Sequence, residues 1–428
     1  MPTHFPDFPS FAAWLTAKGL FHMDLALGRM HAALDRLNLA RPPFPTLHVV
    51  GTNGKGSTSA FLAALARAGG FTAGLYTSPH FLSLRERATV NGEPLPESAW
   101  LSAANRLFPL AEELGLTYFE VLTVLSLMLF AGAGVTLAVM EAGLGGRFDA
   151  VSVLPHAALC VTPIGLDHTA QLGPTVADIA RDKAGAMRPG EPVFSAPQTP
   201  EVLSVLTREA AATRADFHGP EALLPLPEGL TLAMPGSHQR DNARLALTCW
   251  RAMAPALGVA PATSAAAAES AALASVQVPG RFQRIPGSPE FILDGAHNAH
   301  GLAALARTLA ELDLRPAAVI FSCFKDKDVA AMAPLVASLT TGPVFVPPIA
   351  GFERAADPAA LAAALSAAIG PRAVPVADLA SALSRAAAAG SPVVVCGSLF
   401  LLAEFYTTEQ AVEKPPSASL LRKVQTLA

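Results

Sequence analysis

Apolar residues fall along this chain in short runs separated by longer stretches in which they recur every three or four positions, a change between strand and helix periods. The first clear run, Leu47 to Gly51 (LHVVG), leads into the turn TNGKGS and then into STSAFLAALARAGG, a helical pattern closed by Gly69-Gly70. Further strands are predicted at Ala73 to Ser78, Val135 to Glu141, Ala157 to Ile164 and Pro192 to Ala196. A second series follows at Phe291 to His297, Ala317 to Phe324, Pro343 to Ile349 and Pro392 to Phe400. Strands alternating with helices predict βαβ units and parallel sheets. The division falls into two α/β domains, 1–279 and 280–428, with the boundary at Pro279-Gly280 after an Ala-rich helix, Ala265 to Ala274, whose Glu269 and Leu273 give it some polarity.

One stretch competes with this reading. Val121 to Met140 runs without a charge for the length a bilayer-spanning helix needs. Gly132 and Gly134 punctuate it, its second half is the β-branched run VTLAVM, and Glu120 and Glu141 stand where Lys, Arg, Trp or Tyr anchors belong. It is therefore expected to be a helix followed by a buried strand, with no membrane span.

Composition sharpens the class. Apolar residues make up 51% of the 428 positions and charged residues 15%, which excludes disorder. A net charge of −4 and no Lys/Arg run argue against a nucleic-acid partner. Cys160, Cys249, Cys323 and Cys396 are widely spaced and read as buried thiols of a reducing cytosol, and MPTHFPDFPSFAAWL lacks the pattern of a secretory signal, so a cytoplasmic protein is expected.

The chemistry begins at Gly51 to Ser57 (GTNGKGS), where a strand precedes the glycine-rich turn and a helix follows it. Successive backbone N–H groups and a helix N-terminus attract phosphate, Lys55 adds a cation, and Ser57 offers a hydroxyl to a phosphate-bound Mg²⁺. Gly56 departs from the strict nucleotide-loop pattern, which has Ser or Thr directly after the Lys. Glu141 opens EAGLGGRFDA at a strand's carboxyl end, where α/β ligands gather, and is either a Mg²⁺ ligand or the cap of the next turn. His168, beside Asp167 in TPIGLDHTAQLG, is a ligand, a base or an ordinary hydrogen-bonded residue. Lys183 falls on a helical segment, where a solvated side chain is the default. His297 and His300 form an HxxH, but no further ligands accompany them to make a zinc site.

Together GTNGKGS, TSPHFLSLRERATVNG, LTYFEVLTVLSLMLF, EAGLGGRFDA, LDHTAQLGPTVADIARDKAGAMRPG, HQRDNARLAL, PGRFQ, DGAHN, KDKD and CGS resemble, in order, the folylpolyglutamate synthase / dihydrofolate synthase family of the Mur-ligase superfamily. The resemblance implies a P-loop ATP-binding domain with a mostly parallel sheet and a smaller Rossmann-like C-terminal domain. It implies ATP phosphates on Gly54, Lys55, Gly56 and Ser57, the adenosine side on Asn242, Arg281 and Asp294, and Mg²⁺ on Ser57, Ser78, Glu141 and His168. Lys183 matches a lysine that is carbamylated in the superfamily and supports a second metal. K⁺ is an additional candidate cofactor. The pterin side is implied at Asp24, Leu25, Ala26 and Leu27, at Thr117, Tyr118, Phe119 and Glu120, and at Phe148, Asp149 and Ala150, with His297 and Ser398 on the glutamate side. Ala26, Val151-Ser152 and Ala299 depart from the family's pattern without removing a proposed ligand.

A carboxylate becomes an amide only after activation, so the implied reaction transfers the γ-phosphoryl of ATP to dihydropteroate or a reduced folate, and L-glutamate then attacks the acyl phosphate. Lys55, Lys183 and His297 are the catalytic candidates. Members usually act as monomers. The alternatives are a folylpolyglutamate synthase only, a non-folate Mur-type ligase, of which a peptidoglycan member would ordinarily carry a nucleotide-sugar-binding domain that has no room ahead of Gly51, and a non-catalytic P-loop ATPase switch.

Overall fold

The strand before the glycine-rich turn, β1 (Thr46–Val50), is buried along its whole length, and β5 (Leu137–Glu141) and β6 (Ala158–Val161) flank it and are buried likewise. Continuous apolar runs of this kind need cover on both faces, which parallel sheets receive from their crossover helices. The computed structural model of the chain describes residues 4–19, 26–259 and 265–408. They form two units: one takes in the described residues up to Leu232 and Arg240–Val276, the other Ala233–Gln239 and the described residues from Gln277 onward.

The first unit holds β2 (Ala73–Tyr76), β3 (Ala88–Val90), β4 (Glu93–Pro94), β7 (Pro192–Ser195) and β8 (Asp216–His218) besides the three central strands. Their order is β4-β3-β2-β5-β1-β6-β7-β8. Neighbours from β2 to β8 are parallel, and β3 and β4 run antiparallel at one edge. The second unit holds β9 (Gln283–Ile285), β10 (Phe291–Leu293), β11 (Ala318–Phe321), β12 (Val344–Val346), β13 (Ala373–Pro375) and β14 (Val393–Cys396) in the order β13-β12-β11-β14-β10-β9, antiparallel at β9 alone. The predicted strands thus appear in shorter form, most of them trimmed at the carboxyl end, where the chain turns into a loop, and β5 trimmed at its amino end instead. The Ala-rich segment is the helix Ala265–Ser275.

The uncharged run divides as expected. Helix Tyr118–Gly132 starts at a capping box in which Thr117 Oγ1 accepts from Glu120 N at 3.4 Å and Glu120 Oε2 accepts from Thr117 N at 2.8 Å. It stops where Gly134 takes φ +68°, and β5 follows. Among the described residues no helix is long and apolar enough to cross a membrane. The helix is uniformly apolar because its faces meet a buried cluster that includes Trp100, Leu107, Phe130 and Met140.

Candidate functional site

The turn after β1 is laced to the segment after β6. Thr52 N and Asn53 N both donate to Pro163 O, at 3.0 and 3.2 Å, and Thr52 Oγ1 donates to Gly165 O at 3.1 Å. Two glycines make this approach feasible. Gly51 has φ +145°, and a Cβ there would overlap Thr162 Oγ1; Gly54 has φ +89°, and its Cβ would lie 2.5 Å from Asn242 Oδ1. Gly51→Ala is expected to destabilise the first unit by roughly 2–4 kcal/mol, from overpacking plus backbone strain, and to abolish nucleotide binding; urea melts and ADP titration check both.

Helix Lys55–Ala68 begins at once, with Gly54 as an N-cap that offers no side-chain acceptor to the first-turn N–H groups. Such a terminus suits an anion. Lys55 Nζ is held over the loop by Gly51 O at 3.2 Å and Thr52 O at 3.3 Å. Ser57 is buried in the same first turn. Glu141, the last residue of β5, brings its carboxylate to this turn: Oε2 lies 3.6 Å from where a Gly56 Cβ would be, and it accepts from Ser78 N at 3.1 Å. Gly54, Gly56, Ser57, Ser78, Glu141 and Asn242 therefore surround one cradle.

Mg²⁺ takes hard oxygen ligands and keeps several waters, so one carboxylate with serine hydroxyls beside a phosphate cradle fits it chemically. Among the described residues no group of three or more His, Cys, Asp and Glu side chains is arranged to hold a metal by itself, and this includes the HxxH. His168 has φ +53° in the loop after β6, donates its N–H to Asp167 Oδ1 at 2.9 Å, and has a side chain 41% exposed.

Lys183 differs from the solvated residue that its position on a helix suggests. On helix Val176–Ala184 it is 4% exposed, because the glycine loop after β5 packs directly against it: a Cβ at Gly146 would lie 2.5 Å from Lys183 O. Asp182 Oδ1 accepts from Gly146 N at 2.9 Å and fastens that loop to the helix. Burial first, and the Lys55 charge second, push the Lys183 amine down to about 7, against the opposing pull of Asp182, Asp167 and Asp149.

The same loop organises the expected acceptor side. Asp149 is buried and accepts from Gly143 N, Leu144 N and Val151 N, each at 2.9 Å. Burial nevertheless pushes its carboxyl up to about 6, opposed by those bonds and by Lys55. Ala150 is buried at the head of the turn Ala150–Val153, while Phe148 is 39% exposed. Phe119 packs on Gly143, whose Cβ would lie 2.5 Å from the ring, and stands 5.8 Å from the Tyr76 ring. Thr117 and Glu120 are engaged with each other, and Glu120 also receives Arg29 at 3.1 Å, so their polar groups position Tyr118 and Phe119. Ala26 and Leu27 precede helix Gly28–Arg36; Asp24 and Leu25 lie outside the described residues.

In the segment after β2 the sequence pointed to Ser78 and not to His80, Glu86 or Arg87. Glu86 accepts from Phe81 N, Leu82 N and Ser83 N at 2.6, 2.8 and 2.6 Å, and Ser83 caps the turn Leu84–Arg87. The Ser-x-x-Glu spacing was a legible signal for this brace. Arg87 is buried, donates from Nε to His80 Nδ1 at 2.9 Å, and lies 5.5 Å over the Tyr118 ring. Burial, with Arg87 second, pushes the His80 imidazole down to about 3.

The second unit gathers its own group at the carboxyl ends of the paired strands β10 and β14. Asp294 accepts from Phe282 N and Ala296 N, both at 2.9 Å, and Arg281 Nη1 is 3.2 Å from where a Gly295 Cβ would be. His297 Nδ1 donates to Gly295 O at 2.7 Å, which fixes the orientation of the ring. Ser398 caps helix Leu399–Thr407. Arg281, Asp294, His297 and Ser398 thus belong to one cluster of loops, and Asn242 to the first unit.

Comparison with known proteins adds an independent line. The family profile described as Mur ligase, glutamate ligase domain matches residues 280–399. The chain is 31% identical over 353 residues to the dihydrofolate synthase/folylpolyglutamate synthase of Bacillus subtilis, covering 76% of this chain and 81% of that protein. It is 35% identical over 396 residues to a probable bifunctional folylpolyglutamate synthase/dihydropteroate synthase of Haloferax volcanii, covering 85% of this chain and 46% of that protein, so it spans about half the length of that relative. The structure of E. coli FolC in complex with DHPP and ADP superposes with a TM-score of 0.84 at 30% identity, covering 96% of this chain and 100% of that one.

Proposed function

The chain belongs to the dihydrofolate synthase/folylpolyglutamate synthase family, and from that premise we propose that it is an ATP-dependent ligase joining L-glutamate to dihydropteroate and to the γ-carboxylate of reduced folates. The observation that carries this reading is the Glu141 carboxylate set against both the phosphate cradle at Gly56 and the Ser78 amide. A hydrolytic switch needs the cradle. It does not need a buried amine at Lys183 or an aromatic wall at Tyr118 and Phe119.

In this reading Gly54, Lys55, Gly56 and Ser57 hold the ATP phosphates, and Asn242, Arg281 and Asp294 serve the adenosine side. Ser57, Ser78, Glu141 and His168 are the Mg²⁺ ligands. Mg²⁺ supplies charge neutralisation for phosphoryl transfer. The cradle N–H groups and Lys55 orient the γ-phosphate toward the acceptor carboxylate; Tyr118, Phe119, Phe148, Asp149 and Ala150 seat the flat acceptor. A carbamate on Lys183 turns a buried cation into an anionic oxygen donor beside this centre. His297 and Ser398 serve the incoming glutamate, whose amine attacks the acyl carbon as phosphate leaves. Residues 1–279 form the nucleotide and acceptor domain and 280–428 the glutamate domain, an assignment supported by the profile match. The enzyme acts as a cytoplasmic monomer.

The Bacillus subtilis relative's name joins both synthase activities, and the full TYFE match at Thr117 to Glu120 favours both here. Phosphate release from ATP is therefore expected with dihydropteroate plus L-glutamate and with tetrahydrofolate plus L-glutamate, measured side by side. Release that does not require glutamate would sink the ligase reading; release with tetrahydrofolate alone would reduce it to a folylpolyglutamate synthase.

A further inference from the structure

Arg87 has an environment that its established neighbours do not explain. It is 5% exposed, its side chain meets His80 Nδ1 and Tyr118, the latter through both the ring and a hydrogen bond, and both are uncharged partners. Arginine is almost never this deeply buried unless its charge is compensated, because desolvating an unpaired guanidinium is costly. The segment is nonetheless built to keep it there. Glu86 ties down Phe81, Leu82 and Ser83 through their backbone N–H groups, and Thr77 N donates to Arg87 O at 3.1 Å. Glu86 thus spends its charge on the loop, although it is the adjacent residue.

The location narrows the missing anion. Arg87 sits opposite Thr77, one residue before Ser78, whose N–H reaches Glu141. On its other side lies Tyr118, next to Phe119 on the Gly143 wall. Nε is occupied by His80, and Tyr118, whose ring lies over the plane, is also hydrogen-bonded to the guanidinium, so the part of the Nη edge that Tyr118 does not take is what a ligand can use. An anion held there stands between the cradle and the aromatic wall.

We propose that Arg87 is the receptor for the carboxylate of the acceptor substrate, with His80 and Tyr118 as positioning residues that fix the guanidinium plane. This deepens the ligase reading above and rests on it. The pairing neutralises the buried charge and aims one carboxylate oxygen toward the transferred phosphoryl group.

The experiment compares the binding of dihydropteroate with that of its neutral carboxamide, by titration against the full chain and against Arg87→Gln and Arg87→Lys. The wild type is expected to prefer the carboxylate by about 10–100-fold, the range for charge-assisted bidentate bonds. Arg87→Gln should lose that preference while its affinities for the carboxamide and for ADP stay within about threefold, the ADP reading serving as the control for folding. Arg87→Lys, which keeps the charge but not the fork, should fall between. Equal wild-type affinity for the two compounds overturns the proposal without any variant, and so does an Arg87→Gln protein that weakens both equally. A wild type that binds neither dihydropteroate nor tetrahydrofolate while binding ADP sinks the parent reading and this one together.

Discussion

Lys183→Met is expected to lower glutamate-dependent phosphate release by about 10²–10³-fold, the scale seen when one preorganised charge is removed from a reacting centre. It should at the same time stabilise the fold below neutral pH. The native amine titrates near 7, well below its ordinary value of 10.5, because burial disfavours the charged form. Between those two pH values the unfolded chain binds more protons than the folded one, so wild-type stability rises with pH across that window, and the full penalty is present below it. Methionine has no amine to desolvate. Its advantage should therefore be largest at pH 6, roughly 1–4 kcal/mol when each tenfold change in proton affinity is worth about 1.4 kcal/mol, and should shrink toward pH 10. Urea melts of metal-free protein at pH 6 and 9 measure this. A flat difference would show that the Lys183 amine is not held as an unfavourable charge. The same neutral amine is the form that captures CO₂, so added bicarbonate should raise wild-type activity and leave the variant unchanged; an Ala at 183 with undiminished activity would refute the carbamate.

Glu141→Gln should cost about as much in rate, again roughly 10²–10³-fold, with little change in stability. Glutamine keeps the length of the side chain and an acceptor for Ser78 N, so the loop after β2 stays fastened. It loses the charge that makes the site attractive to a divalent cation. The decisive reading is phosphate release as a function of Mg²⁺ concentration: the variant should need far more Mg²⁺ and still not recover full rate. Wild-type rate at ordinary Mg²⁺ would remove Glu141 from the metal set and return it to the role of a turn cap.

What the sequence disclosed and what it concealed divide along physical lines. The central strands were legible because burial on both faces writes a continuous apolar run, as at Thr46–Val50 and Leu137–Glu141. The edge strands Ala88–Val90 and Glu93–Pro94 were not, since they are short and only partly buried, although the Asn91-Gly92 pair between them, at φ +54° and +84°, marks a hairpin turn. The cradle could be read from its glycines. Lys183 could not be read as buried from its helix, because a loop distant in sequence covers it at Gly146. Thr117 and Glu120 carry a helix start in their spacing as well as a family motif, and the capping box accounts for the hydrogen bonds between them. Arg87 lies in the charged string SLRER, where nothing local says that its guanidinium is buried.

The ladder between β1 and β5 pairs Val49 with Glu141, and β6 holds β1 from the other side, pairing Val50 with Val161. Strand registers change only in whole residues. A slip of one would carry Glu141 about 3.3 Å along the sheet and turn its side chain to the opposite face. The spacing between phosphate cradle and carboxylate is thus an indexed quantity, set in steps too coarse for gradual adjustment. Variation in rate among descendants of this chain has to come from the loops beyond the ladder, while the ladder itself can only be kept or lost.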